Sequence, residues 1–222
     1  MATTHNTLLV TKDNPSSLTA EAYRTLRTNL SFVGADHPCR CLLFTSGHPR
    51  VGKSTIAANL SFILAQTDKK VLLVDCDLRK PSLHKLFNLN NSSGLTNILS
   101  QNKSIPELAH NVTDGLWVLT SGPIPPNPSE LISSNTAKQF WAEATETFDY
   151  TLIDSPPVLA VSDALVLSKQ ADGVIIVLDA RSTRIDSAKE VKARFSQAGA
   201  TVLGVVLNRV KLNKKDSQYY YK

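Results

Sequence analysis

The chain has 222 residues, a hydrophobic share of 42%, a charged share of 19% and a formal net charge of +5. These values are ordinary for a folded globular protein and exclude a disordered or fibrous chain. The basic excess is compatible with nucleotides, nucleic acid or acidic membrane surfaces and does not choose among them. The apolar runs are far shorter than the ~20 residues of a membrane-spanning helix, so no span is predicted.

The spacing of the three cysteines and five histidines does not predict a metal site formed by these residues. Cys39, Cys41 and Cys76 contain no C-x-x-C pair, and the histidines form no H-E-x-x-H or similar cluster. Reduced thiols are therefore expected. The first ten residues lack a basic flank before an apolar stretch, so no secretory signal is predicted and the protein is expected in the cytoplasm.

The first predicted element is a helix over about residues 17–33, ended by Gly34. Three charged residues, Glu21, Arg24 and Arg27, recur at three-residue steps along one of its faces. In an arbitrary protein, such a face is most often a solvated helix surface.

The body of the chain alternates between short apolar runs and segments with helical spacing. The predicted strands cover residues 41–45, 71–74, 116–119, 151–153, 174–178 and 202–207, and the clearest helices cover 54–64, 162–169 and 185–198. Nearly continuous apolar strands separated by helices are typical of a parallel sheet covered on both faces. The sequence thus predicts a doubly wound, mostly parallel α/β fold, with one domain over residues 1–210 and a flexible tail over residues 211–222.

A phosphate-binding loop is predicted after the first core strand. Residues 47–54, G-H-P-R-V-G-K-S, match the pattern G-x-x-x-x-G-K-[ST] and lie between a strand and a helix, as that motif requires. Backbone N–H groups of such a loop point at phosphates, and the helix N-terminus adds partial positive charge. Lys53 is expected to reach the outer phosphates and the Ser54 hydroxyl to bind Mg²⁺.

Three carboxylates follow two further strands. Asp75 and Asp77 end the strand over residues 71–74, and Asp154 ends the strand over residues 151–153. In open α/β sheets, ligands bind at the carboxyl ends of the strands. A single acid there is as often a helix cap, but three acids near a phosphate loop indicate Mg²⁺ ligation and activation of a nucleophile.

With these motifs in place, the chain resembles the bacterial tyrosine kinases of capsule and exopolysaccharide systems. The resemblance extends over nearly the whole sequence. It rests on hydrophobic-D-x-D-x-R after a phosphate loop, hydrophobic-D-x-P at the third acid, E-x-x-R-x-x-R at 21–27, R-K-P-S at 79–82, T-S-G-P-I-P-P-N-P-S-E-L-I at 120–132, G-V-V-L-N-R at 204–209 and a terminal tyrosine cluster.

This resemblance implies a protein kinase built on a P-loop ATPase fold. Such a kinase binds ATP and Mg²⁺ and converts the ATP to ADP. It implies a homo-oligomer, in a closed ring, whose subunits phosphorylate the tyrosine tails of their neighbours. It also implies a membrane-spanning activator of the polysaccharide co-polymerase type, which recruits the kinase to the inner face of the plasma membrane and controls polysaccharide export. No nucleic-acid partner is expected.

The resemblance also assigns roles to individual residues. The expected catalytic residues are Lys53, Asp75 and Asp77, and the expected metal site comprises Ser54, Asp75, Asp77 and Asp154. The nucleotide is expected to contact Gly47, Pro49, Arg50, Val51, Gly52, Lys53, Ser54 and Thr55, with Asn208 and Arg209 near the adenine. The implied phosphoacceptors are Tyr219, Tyr220 and Tyr221, and the implied subunit contacts are Glu21, Arg24 and Arg27.

One residue departs from the family pattern. The family usually has P-G-x-G-K in the phosphate loop, and Arg50 stands where the first glycine of that set belongs. A residue other than glycine tolerates positive φ poorly, so either the loop is reshaped or the turn does not require positive φ at this position. A third reading is that Arg50 adds a cation beside the phosphates, and the sequence leaves these readings open.

Two other classes of protein remain as alternatives. One is a P-loop ATPase switch of the chromosome-partitioning or division-site type. That class is marked by a second lysine in K-G-G-x-G-K-[ST], where this chain has His48, and often ends in an amphipathic membrane helix, where this chain ends in tyrosines. The other is a nucleotide-binding regulatory subunit that has lost catalysis, which the unusual Arg50 leaves possible.

Overall fold

A seven-stranded sheet organises the residues that the computed structural model describes, which are 8–33, 39–101 and 103–211. Its strands are β1 (Cys41–Thr45), β2 (Val71–Asp75), β3 (His110–Thr113), β4 (Leu116–Leu119), β5 (Tyr150–Asp154), β6 (Gly173–Asp179) and β7 (Val202–Asn208). The strand order is β3-β4-β2-β5-β1-β6-β7. All neighbouring strands are parallel except β3 and β4.

Helices connect the parallel strands and cover both faces of the sheet. They are α1 (Val10–Asp13), α2 (Leu18–Val33), α3 (Lys53–Ala65), α4 (Leu83–Leu86), α5 (Leu95–Gln101), α6 (Ile105–Leu108), α7 (Pro128–Ser133), α8 (Asn135–Thr147), α9 (Asp163–Leu167) and α10 (Ile185–Gln197). The predicted N-terminal helix and the helices after β1, β5 and β6 are present. None of the described helices is long and apolar enough to cross a membrane.

Two apolar cores lie on opposite faces of the sheet because side chains alternate along each buried strand. On one face, Leu43 and Val74 pack with residues of α5, α8, α9 and α10, including Phe140 and Phe195. On the other face, alternate strand residues pack against α3. The doubly wound α/β prediction is therefore confirmed.

Helix α3 is buried almost all round. Eleven of its thirteen residues are buried, since one side packs on the sheet and α1 and α2 cover the other. The helix begins at Lys53, directly after the phosphate loop, so the core holds the start of this helix in place.

The antiparallel edge strand β3 was not predicted. Its sequence, His-Asn-Val-Thr, alternates between half-buried and exposed positions and lacks an apolar run. It joins β4 through Asp114 and Gly115, and Gly115 has φ 76°. Asp-Gly is a common turn pair in two-residue hairpins. Helix α5 was not predicted either, whereas the Pro-rich stretch of residues 121–130 was expected to lead into a helix, and α7 and α8 are found there. Gly34 and the tail from residue 212 lie outside the described residues.

Candidate active site

The phosphate loop lies between β1 and α3, where the motif predicts it. Gly52 precedes α3 with φ 95°, a left-handed conformation that favours glycine. A Cβ atom added to Gly52 would lie 2.2 Å from the Asn208 side-chain nitrogen Nδ2. The same nitrogen donates a hydrogen bond to the Val51 carbonyl at 2.8 Å. Asn208, at the end of β7, therefore holds the loop closely, and a side chain at residue 52 would disrupt this contact.

Arg50 has φ 65°, so the turn does adopt positive φ at this position. The alternative of a turn without positive φ there does not hold. The loop accommodates a non-glycine residue in a conformation that side chains of L-amino acids rarely adopt.

Lys53 and Asp154 form a buried ion pair at the start of α3. Lys53 Nζ lies 2.5 Å from Asp154 Oδ1 and 3.3 Å from the Ser54 hydroxyl oxygen. The second carboxylate oxygen of Asp154, Oδ2, is buried and has no hydrogen-bond partner in the part of the chain that the structure describes. The Asp154 carboxylate thus retains one oxygen that is able to accept a hydrogen bond or bind a cation.

The structure brings the predicted acids together at one edge of the sheet. Asp75 and Asp154 are paired in register on the neighbouring parallel strands β2 and β5. Asp77 lies two residues beyond Asp75, and β1, which leads into the phosphate loop, adjoins β5 on its other side. The order of parallel strands alone is sufficient to place these side chains near Lys53.

Asp75 is fully buried and tightly held. Its Oδ2 accepts hydrogen bonds from the backbone N–H groups of Ser82 and Leu83, each at 2.9 Å, and its Oδ1 accepts one from the Asp77 N–H at 3.2 Å. Burial raises the pKa of Asp75 to about 7, and the negative charge of Asp154 adds to this rise. The Asp75 carboxyl fixes the segment that follows β2.

Asp77 lies closer to solvent, with 8% of its surface exposed. Its Oδ1 accepts a hydrogen bond from the Lys80 N–H at 3.0 Å. Burial raises its pKa above the ordinary value, and the nearby positive charge of Lys53 opposes that rise. Of the two neighbouring acids, Asp77 is the one that keeps some exposed surface.

Sequence reasoning missed two polar networks that support this site. The Ser82 hydroxyl donates a hydrogen bond to the Ser54 hydroxyl at 2.9 Å, which ties the segment after β2 to the phosphate loop. Arg79 Nε donates to the buried carboxylate of Asp163 at 2.9 Å, and the Ser129 hydroxyl donates to the same carboxylate at 2.5 Å. The R-K-P-S stretch contains Arg79 and Ser82, but nothing in the sequence indicates their partners.

A third unpredicted network joins the N-terminal segment to α3. Asn59 is fully buried, and its side chain accepts hydrogen bonds from the N–H and hydroxyl of Thr11. Its amide donates to the carbonyls of Leu8 and Thr55. The available signal was an asparagine within the mostly apolar second half of α3, and this signal did not reveal the partner.

Arg209, predicted near the adenine, is held by the neighbouring strand. Its Nη1 lies 2.5 Å from Asp179 Oδ2, and its N–H donates to the Asn208 side chain at 2.9 Å. Hydrogen bonds thus hold Asn208 and Arg209 in place at the end of β7, beside the phosphate loop. Their contact with adenine remains a prediction.

The three charged residues predicted for subunit contact make contacts within their own chain. Arg24 Nη1 lies 2.7 Å from Glu21, and Arg24 Nη2 donates to the Pro15 carbonyl at 2.7 Å. Arg27 donates to the Ile63 carbonyl at 3.3 Å, near the end of α3. Their role in assembly remains a prediction, and Tyr219, Tyr220 and Tyr221 lie outside the described residues.

The donors present fit Mg²⁺ shared with a nucleotide better than a metal held by protein alone. Within residues 8–33, 39–101 and 103–211, no three His, Cys, Asp or Glu side chains are grouped to hold a metal ion. Mg²⁺ usually binds one or two protein oxygens together with water and substrate phosphates. The Ser54 hydroxyl and the unpartnered Asp154 Oδ2 provide such oxygens. Asp75 is less available, since both its oxygens accept backbone N–H groups.

A glycine-containing loop between a parallel strand and a buried helix, with acids at the ends of the adjacent strands, defines a P-loop NTPase. Consistent with this class, residues 39–221 match the ParA family model, described as NUBPL iron-transfer P-loop NTPase. The chain is 42% identical to tyrosine-protein kinase YwqD of Bacillus subtilis over 214 residues, which are 96% of this chain and 90% of the relative. The chain belongs to the bacterial tyrosine-protein kinases.

Solved structures agree with this assignment. The chimerical protein CapA2B2 matches with a TM-score of 0.88 at 39% identity, over 92% of this chain and 91% of that one. The kinase domain of Escherichia coli tyrosine kinase ETK matches with a TM-score of 0.86 at 31% identity, over 92% and 82%. The septum site-determining protein MinD of Pyrococcus horikoshii, at 22% identity and a TM-score of 0.63, shares the fold alone. The prediction of a tyrosine kinase, rather than a partitioning or division-site switch, is confirmed.

Proposed function

We propose that this chain transfers the γ-phosphoryl group of ATP to tyrosines at its own C-terminus, acting on the tail of a neighbouring copy. We propose further that this reaction regulates the synthesis and export of a capsular or extracellular polysaccharide. The observation that carries the proposal is the meeting of Lys53, Asp75, Asp77 and Asp154 beside the phosphate loop. Phosphoryl transfer requires this combination of a phosphate cradle, a cation and carboxylates.

The nucleotide site follows from the loop geometry. Backbone N–H groups of the loop and the start of α3 bind the phosphates, and Lys53 moves from Asp154 to the outer phosphates of ATP. Asn208 and Arg209 lie beside the loop and contact the adenine. Mg²⁺, held by Ser54 and Asp154 with the phosphate oxygens, would neutralise charge on the polyphosphate.

The transfer step uses Asp77 as the proton acceptor. The tyrosine oxygen bonds to the γ-phosphorus while the bond between that phosphorus and the β,γ-bridging oxygen breaks, and ADP leaves with the bond's electron pair. The phenol proton passes to the Asp77 carboxylate. Asp75 keeps the segment of residues 77–83 in position through its three backbone hydrogen bonds.

Assembly and location complete the proposal. The charged face of α2, with Glu21, Arg24 and Arg27, contacts a neighbouring subunit in a closed ring. A membrane-spanning activator of the polysaccharide co-polymerase type brings the kinase to the inner face of the plasma membrane. The ring contact and the activator follow from the family resemblance. The polysaccharide context is also supported by the name of a relative from Klebsiella pneumoniae, a tyrosine-protein kinase in a cps region.

The direct test is incubation of the purified chain with ATP and Mg²⁺, followed by detection of phosphotyrosine. The Lys53→Met variant should lose the signal while keeping its fold, as judged by circular dichroism. Lys192→Met, which changes an exposed lysine of α10, is the matched control and should retain the signal. Undiminished phosphorylation in Lys53→Met would refute the site. Nucleotide binding without any phosphotyrosine in the parent, with or without an activator fragment, would favour the regulatory subunit.

A further inference from the structure

Arg50 occupies a strained position at the tip of the phosphate loop. It has φ 65° and is exposed to solvent. Proline followed by a residue with positive φ is the pattern of a type II turn, whose second central position ordinarily takes glycine. Arginine is therefore a costly choice for the backbone at this position, and loop geometry alone does not explain it.

The surrounding structure imposes this conformation. On one side of Arg50, the Ser46 hydroxyl donates a hydrogen bond to the His48 carbonyl at 2.8 Å. On the other side, Asn208 donates to the Val51 carbonyl at 2.8 Å. Strained residues persist where neighbouring contacts over-determine the backbone, and they cluster at functional sites.

Arg50 and Lys53 are the two cationic side chains of the phosphate loop, and they differ in whether they already have a partner. Lys53 is paired with Asp154 at 2.5 Å. By contrast, the Arg50 guanidinium has no side-chain hydrogen bond or ion pair with the residues that the structure describes. Arg50 lies three residues before Lys53, on the loop whose N–H groups are proposed to bind the phosphates. The planar guanidinium matches the oxygens of a phosphate group in a bidentate manner.

We propose that Arg50 binds a phosphate group of the bound nucleotide and slows the release of ADP. This inference rests on the proposed function for the identity of the ligand, and it assigns to the side chain a role that the glycine usual at this position cannot have. A charged contact at an exposed position weakens as salt rises. The effect should therefore be large for ADP and ATP at low ionic strength and small at high ionic strength.

Four variants separate the charge of Arg50 from its backbone strain. Arg50→Gln removes the charge and keeps a side chain at positive φ, whereas Arg50→Gly removes both the charge and the strain. Arg50→Lys keeps a charge without the bidentate geometry. Asp68→Gly relieves similar strain at another exposed residue, which has φ 56° and follows the far end of α3, and it serves as the matched control.

The measurements are the dissociation constant and release rate of fluorescent ADP at low and high salt, together with the melting temperature. Arg50→Gln and Arg50→Gly should each weaken ADP binding about tenfold at low salt and speed its release, with Arg50→Lys intermediate. Arg50→Gly should also raise Tm by about 2–4 °C, which Arg50→Gln should not. Asp68→Gly should raise Tm and leave ADP binding unchanged.

Dissociation constants of Arg50→Gln and Arg50→Gly within about twofold of the parent at low salt would overturn this inference. If the parent still phosphorylates tyrosine in that case, the proposed function stands and only the role of Arg50 falls. A parent that binds neither ADP nor ATP would overturn both.

Discussion

Asp75 and Asp77 are two residues apart but have different surroundings. Asp75 is fully buried, and both its oxygens accept backbone N–H groups, whereas Asp77 keeps 8% of its surface exposed. A tyrosine oxygen can therefore approach Asp77 more readily than Asp75. We expect Asp77 to receive the proton and Asp75 to position the chain around it.

Asp77→Asn should lower kcat for tyrosine phosphorylation by at least about a hundredfold, with little change in the KM for ATP, because proton acceptance is lost and the loop is kept. Asp75→Asn should change both constants, since Ser82, which Asp75 holds, also contacts Ser54. Steady-state kinetics over a range of ATP concentrations separate the two effects. Asp186→Asn, an exposed change on α10, is the control. A near-normal kcat in Asp77→Asn would place the base elsewhere.

At the scale of elements, α3 connects the phosphate loop to the N-terminal segment through Asn59. Replacing Asn59 with Ala removes the side-chain acceptor of the buried Thr11 N–H and the amide that donates to the Leu8 carbonyl. The free energy of unfolding should fall by about 2–3 kcal/mol, because buried polar groups are left unsatisfied. Urea denaturation measures this change, and Asn135→Ala on the exposed face of α8 should change it by less than about 0.5 kcal/mol. An equal, small effect of both variants would show that this network contributes little.

Asp149 links the start of β2 to the start of β5. Its surroundings predict that the stability of the fold depends on pH. Its carboxylate accepts a hydrogen bond from the Lys70 N–H at 2.9 Å, and this bond, with smaller help from Lys69, lowers its pKa below the ordinary 3.8. A carboxyl whose pKa is lower in the folded state stabilises the fold above its unfolded pKa, and that contribution is lost as the pH falls through the folded pKa.

Asp149→Asn should therefore be slightly less stable than the parent at pH 7, by under about 1 kcal/mol because the pair is exposed. The difference should shrink as the pH is lowered below about 4. Urea denaturation at pH 7, 5 and 3.5 measures the trend. A difference that stays constant, or grows, toward acid pH would contradict the stated cause.

At the scale of the whole molecule, local patterns were sufficient for the order of the six apolar strands, for the helices after β1, β5 and β6, and for the convergence of the acids. Buried parallel strands such as β1, β2 and β5 appear in the sequence as apolar runs, and their carboxyl ends must share one edge. The pairs Asn59 with Thr11 and Arg79 with Asp163 could not be predicted, because residues 48 and 84 positions apart carry no spacing signal. The edge strand β3 was missed because its half-exposed residues lack an apolar run.

The charged face of α2 yields a prediction about assembly. Arg24 and Glu21 pair within the chain, so replacing Glu21, Arg24 and Arg27 together with Ala removes the charged face without leaving a buried charge. The triple variant should sediment as a monomer at concentrations where the parent assembles, and its melting temperature should change little. Analytical ultracentrifugation gives the mass. An unchanged assembly would exclude this face as the subunit contact.

The central claim, phosphorylation of tyrosine tails between subunits, is tested most directly by mixing two chains. One chain carries Lys53→Met and keeps its tail, and the other is active but lacks residues 219–221. With ATP and Mg²⁺, phosphotyrosine should appear on the Lys53→Met chain, at Tyr219, Tyr220 or Tyr221 by mass spectrometry, and only when both chains are present. If the tail-less partner binds and hydrolyses ATP while the Lys53→Met chain remains unphosphorylated, transfer between subunits is contradicted.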